Sequence, residues 1–226
     1  MIQKTRDVSL SVLFVIAVVI LTITFSIGLP IYVRPFYYAH IPSIQEEFRE
    51  WYDVEVETDY IKDAYDDVLD FLTKNGREFG TGELPYSEEG KGHFEDCKVL
   101  FDLNKYAFMI SMAIVVILTL LHSFGIIKLI KPRGYSLTFI AGVGTLSLFV
   151  VLALLVSIDF DVAFTIFHKI FFPGKDNWLF NPNYDPIIMF MPQNFFMNCA
   201  ILICSSIMII STSHIIFDIV KRRRQK

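Results

Sequence analysis

The sequence predicts an all-α integral membrane protein, with four transmembrane helices and a small helical extracytoplasmic domain. Three observations predict it. Apolar runs over residues 8–30, 106–127, 137–158 and 194–219 each approach or exceed the roughly 20 residues that cross a hydrocarbon core. Overall, 54% of the 226 residues are hydrophobic and the mean hydropathy is +0.49. Charge is also sharply sided. Lys4, Arg6, Lys128, Lys131, Arg133, Lys221, Arg222, Arg223, Arg224 and Lys226 flank one end of the spans, whereas residues 34–105 carry 18 Asp and Glu against 8 Lys and Arg.

Lipid offers a backbone no hydrogen-bond partners, so spans of this length are helical. The positive-inside rule then makes both termini cytoplasmic and the two long connections extracytoplasmic. The expected organisation is a first span over 1–33 and an outer helical segment with the His93 loop over 34–105. Second and third spans with a cytoplasmic turn follow over 106–158. A second outer segment with His168 covers 159–193, and the fourth span with its basic tail covers 194–226. The first span follows a basic start but is longer than a signal-peptide core and lacks an A-x-A-like site, so it is read as uncleaved. The basic clusters are short and juxtamembrane. Anionic lipid accounts for them, and no nucleic-acid partner is expected.

Taken in order, the first span carries Thr22 and Ser26 on one face, suited either to another helix or to its own backbone. Pro42-Ser43-Ile44-Gln45-Glu46 offers a capping box, followed by an apolar stripe of Ile44, Phe48 and Trp51. Residues 58–74 repeat the pattern with Ile61, Tyr65, Val68, Leu69 and Leu72, and Asn75-Gly76 stops the helix. So short a segment buries little core alone. Residues 79–92, rich in Gly and Pro, read as a loop. In the third span, Ala141, Gly142, Gly144 and Thr145 allow close helix approach. Asp161, Thr165 and His168 fall on one face of a short amphipathic helix suited to the interface plane.

The chemistry-bearing stretch is residues 87–101, SEEGKGHFEDCKVLF. His93 precedes the second span's apolar run by 13 residues, and His168 follows that of the third by 10. Both imidazoles are therefore expected at the outer headgroup level. Each can take and return a proton near neutral pH. Asp96, three residues on, is placed to orient the His93 ring; Glu88 is a second supporting carboxylate. Cys97 is an alternative nucleophile. Trp178, Phe94 and Phe167 are expected to contact the substrate. Among the other histidines, His122 and His214 read as interhelical hydrogen bonders and His40 as a surface residue. There is no HExxH, paired-Cys spacing, P-loop or dinucleotide fingerprint, so neither a metal nor a cofactor is expected.

Leu84-Pro85, Ser87-Glu88-Glu89 and His93-Phe94-Glu95-Asp96-Cys97-Lys98 resemble the outer-loop motif of the lipoprotein intramolecular transacylases, four-span membrane enzymes of low-GC Gram-positive bacteria. Phe167-His168, Phe171-Phe172, Gly174, Trp178, Phe180, Pro182, Asp185, Pro192 and Phe195-Phe196 extend the likeness. Phe94 and Cys97 stand where the family motif has Met and Val, which argues against Cys97 as a nucleophile. The resemblance implies transfer of an acyl chain from a lipoprotein's diacylglyceryl group to the amino group of its own N-terminal cysteine, leaving a lyso-form lipoprotein. It implies membrane lipid and a diacylated lipoprotein as partners. His93 is then expected to act as the base, with His168 orienting it or donating to the oxyanion. The competing reading is a non-enzymatic membrane scaffold or sensor with an acidic outer domain; a metal-dependent hydrolase is a third.

Overall fold

The computed structural model describes residues 2–225; the expected limits at residues 1 and 226 fall outside them. Nine α-helices are found among the described residues. They are α1 (Ile2–Tyr32), α2 (Arg34–Tyr38), α3 (Ile41–Tyr52), α4 (Thr58–Thr73), α5 (Glu88–Ser123), α6 (Leu137–Ile158), α7 (Phe160–Phe171), α8 (Ile187–Phe190) and α9 (Gln193–Arg223). Of these, α1, α5, α6 and α9 are long and apolar enough to cross a membrane. The chain divides into two compact units: 1–27, 104–158 and 202–226 in one, 28–103 and 159–201 in the other.

In the first unit, Phe14, Val18, Leu118, Ile127, Leu137 and Ala141 form a buried cluster. Gly142 of α6 sits where a Cβ would stand 2.8 Å from the Ser211 carbonyl oxygen and 3.2 Å from His214 Cβ, so α6 and α9 meet at a contact only glycine permits. Gly144, in contrast, faces open space. Thr22 donates to the Val18 carbonyl at 2.9 Å, the own-backbone alternative, while the Ser26 hydroxyl is buried without a partner. His122 is not interhelical. Its Nδ1 lies 3.3 Å from the Ile127 carbonyl and accepts from Leu129 N at 3.4 Å, closing the turn that follows α5.

The second unit has its own core. Amphipathic α4 supplies Ile61, Ala64, Tyr65, Val68, Leu69 and Leu72; Tyr37, Ile41 and Ile44 come from α2 and α3. Residues 187–195 close this core with Ile187, Phe190, Met191 and Phe195. Residues 34–105 therefore bury more than their length suggested, because the second segment supplies the missing wall. Tyr65 donates its hydroxyl to the Phe190 carbonyl and ties the two segments.

Three local expectations change. Pro42 sits in the first turn of α3, where its missing N–H costs nothing, so the helix starts at Ile41 with His40 as its cap. Ser43 then lies inside the helix and donates to the His40 carbonyl at 2.8 Å, and no capping box forms. Trp51 is 79% exposed because it lies past Phe48, the last residue of α3 on the core. His40 is not a free surface residue: its Nδ1 donates to the Phe36 carbonyl at 2.8 Å and its Nε2 accepts from Asn198 at 3.0 Å.

Candidate active site

Residues 88–92, expected as loop, are the first turn of α5. The cause lies 98 residues away in sequence. Asp185 accepts from Ser87 N at 2.7 Å and from Ser87 Oγ at 2.8 Å, and Ser87 Oγ accepts from Gly90 N at 2.9 Å. A carboxylate and a hydroxyl together satisfy orphan amides of a helix start. Gly90 is required there, since a Cβ would collide with the Asp185 carboxylate. The helix so anchored presents His93 one turn further on. His93 belongs to the second unit and precedes the apolar run that begins at Tyr106, so it stands outside the spanning stretch.

His168 lies in the last turn of α7. Asp159 caps that helix by accepting from Val162 N at 3.0 Å. Both imidazoles are buried, each 6% exposed, and their ring centroids are 5.8 Å apart. Aromatic rings surround them. Phe172 and Phe180 present edge contacts to His93 at 4.9 and 5.5 Å, and Trp178 stacks on His168 at 4.5 Å and 26°. Phe164 packs on the other side of His168 at 4.2 Å.

The His168 tautomer follows from its partner. Nδ1 is 2.8 Å from the Phe164 carbonyl oxygen, which only accepts, so Nδ1 carries the proton and Nε2 is a lone pair. Neutral His168 thus has no N–H left to give an oxyanion. Burial lowers its pKa. Burial also pushes His93 down, to about 4, with the neighbouring His168 adding to the effect and Asp96 opposing it. Both rings are neutral acceptors at neutral pH.

The other expected site residues divide. Asp96 does not hold the His93 ring; its carboxylate accepts from Lys175 Nζ at 2.5 Å and Asn177 Nδ2 at 3.2 Å, joining the two segments of the second unit. Glu88 is 89% exposed at the helix start, 4.0 Å from Lys91 Nζ. Phe94 is a core residue stacked on Phe79 at 5.1 Å, because the other face of α5 packs inward. Phe167 is 46% exposed and edges His168 at 5.4 Å, and Trp178 lines the same ring. Cys97 Sγ is 3.4 Å from His93 Nε2, but burial pushes the thiol up to about 12, far from a thiolate. Among the described residues, no three His, Cys, Asp or Glu side chains group as metal ligands. Lys175, Asn177 and the helix-start role of Asp185 were not found from sequence. An Asn beside Trp178 in a loop gives no periodic signal, and only the fold brings it to α5.

Two neutral imidazoles enclosed by aromatic rings, in a protein with four helices of membrane-spanning length, suit proton-transfer chemistry. The family profile of the lipoprotein intramolecular transacylase Lit matches residues 12–196, and the chain belongs to that family. It is accordingly a multi-pass membrane acyltransferase that catalyses intramolecular acyl transfer in lipoproteins. No individually curated protein sequence matches it. Among solved structures it is similar to the membrane-integral transacylase Lit from Bacillus cereus. The TM-score is 0.84 at 24% identity, covering 99% of this chain and 100% of that one. Two structures of that protein with a single histidine substituted, by arginine and by alanine, give TM-scores of 0.77 and 0.76 at 23% identity. The first covers 100% of this chain and 97% of its own; the second, 99% and 98%. At this identity the likeness carries the fold.

Proposed function

We propose that this chain moves an acyl chain from the diacylglyceryl group of a lipoprotein to the α-amino group of the same molecule's N-terminal cysteine, with His93 and His168 as the catalytic pair. The observation that carries the reading is the pair itself, two neutral imidazoles with ring centroids 5.8 Å apart, drawn from separate outer segments.

The neutral α-amine lies between two acceptors. His168 Nε2, its tautomer set by the Phe164 carbonyl, takes one amine N–H and aims the nitrogen lone pair at the ester carbonyl. His93 removes the other proton at Nε2 as the C–N bond forms. The tetrahedral intermediate then collapses, the carbon–glyceryl oxygen bond breaks, and the proton on His93 passes to the departing oxygen. The expected role of His168 as oxyanion donor is replaced by that of acceptor. Tethered donor and acceptor make an acyl-enzyme unnecessary, and holding them together supplies more rate than acid–base help of about 10²–10⁴-fold. Trp178 and Phe167 line the acyl or glyceryl portion.

The basic flanks support cytoplasmic termini and a site at the outer leaflet. Reporter fusions at residues 133 and 78 test the sidedness. His93→Ala and His168→Ala are expected to insert normally and yield no lyso-form product, read by mass spectrometry of lipoprotein N-termini. Full activity in either variant defeats the assignment.

A further inference from the structure

Two buried polar atoms beside the imidazole pair have no partner, and they are chemically complementary: His93 Nδ1 and Asn177 Oδ1. The carboxamide is held the right way round. Its Nδ2 donates to Asp96, so the oxygen is the free end, and a carbonyl oxygen only accepts. Asn177 also lies against the α5 backbone next to His93, since a Cβ on Gly92 would be 3.7 Å from its Nδ2. The contact of His93 Nε2 with the neutral Cys97 thiol, a weak donor, suits the tautomer that carries its proton on Nδ1.

We propose that Asn177 is a positioning residue for His93: its carboxamide oxygen takes the Nδ1–H through one bridging water and fixes the tautomer that offers Nε2 to the substrate. This rests on the reading in which His93 moves the proton. The amide also steadies the imidazolium formed during transfer, as the third member of a histidine triad does. A neutral amide suits the task better than a carboxylate in contact. A charged acceptor there raises the imidazole pKa, whereas the amide fixes the tautomer and leaves burial to set the ring's basicity. Asp96 provides the negative charge one residue further out, where it orients the amide and is itself paired with Lys175.

The test compares single-turnover acyl transfer across pH in wild type, Asn177→Leu and Asn177→Asp, with thermal unfolding run on each. Asn177→Leu, of similar volume, is expected to lower the rate about 100-fold with KM unchanged. Asn177→Asp is expected to recover much of that loss above neutral pH. It also moves the imidazole limb of the profile up by about one unit or more, as an opposite charge within reach does. A wild-type rate in Asn177→Leu, or an unmoved limb in Asn177→Asp, overturns the proposal. Should the leucine variant not fold, Asn177→Ala, which likewise has no acceptor, gives the same readout. A wild-type protein that makes no lyso-form product counts against the proposed function, and a failure confined to the variants counts against Asn177 alone.

Discussion

His168 and His93 reach neutrality by burial, and that sets what pH does to the reaction. The nucleophile must be an unprotonated α-amine, whose ordinary pKa is about 7.7–8.0. His93 titrates far below that, at about 4, and His168 is lowered in the same direction by burial. The acid limb of the single-turnover profile is therefore expected near the amine's pKa. A second, steeper fall sets in as His93, at about 4, and His168, lowered by burial, take up protons. A wild-type limb at 6.5 in place of the amine's would mean that the rings are hydrated after all. Cys97 belongs to the same scale. A buried thiol pushed to about 12 is no nucleophile at neutral pH, so Cys97→Val is expected to lose less than about tenfold in rate. A complete loss would favour a thioester route. The imidazoles were legible in the sequence because each sits in a polar cluster at a similar distance from an apolar run. The partners of Asp96 were not, since Lys175 and Asn177 lie 79 and 81 residues away.

At the scale of elements, the start of α5 decides where His93 stands. Asp185 there satisfies both the backbone amide and the hydroxyl of Ser87, and removing a buried acceptor costs about 1–3 kcal/mol. Asp185→Ala is expected to lower the melting temperature and the rate together. Glu88→Ala, on a side chain 89% exposed, stays within about 0.5 kcal/mol and keeps its activity. Equal losses in the two variants would mean that helix-end charge, rather than the buried clamp, holds the turn. The Gly-Pro richness of 79–92 pointed to a loop because glycine disfavours helix interiors. The segment is helical here because Asp185 and Ser87 satisfy its first amides, and Gly90 is tolerated because the approaching Asp185 leaves no room for a Cβ. Between α6 and α9, Gly142→Leu is expected to force the helices apart at the Ser211 carbonyl and to lower thermal stability in detergent. The same change at Gly144, which faces open space, is expected to be tolerated.

Over the whole molecule, stability of the second unit has a charged component as well as an apolar one. Asp70 is held well below the usual carboxylate range, first by the Lys74 hydrogen bond at 2.7 Å and then by Arg77 and Arg34. Its folded pKa lies below its unfolded one, so the contribution is complete above about pH 4 and is lost as pH falls further. Asp70→Asn is expected to flatten that acid dependence of unfolding. Leu69→Ala, at 1% exposure in the apolar core, is expected to cost about 2–5 kcal/mol at every pH, and Trp51→Ala almost nothing.

The sequence alone determined the four apolar helices, the sidedness of charge and the two histidines, because run length, composition and residue type are local properties that solvent and lipid act on directly. The tertiary structure decided the rest. It placed two imidazoles from distant segments side by side and set the His168 tautomer through a backbone carbonyl. It turned a glycine-rich loop into a helix start, and moved Phe94 from the substrate to the core. Each of these depends on what a side chain meets across the fold. No spacing along the chain encodes that, because the partners are tens of residues away and are chosen by the packing of the finished core.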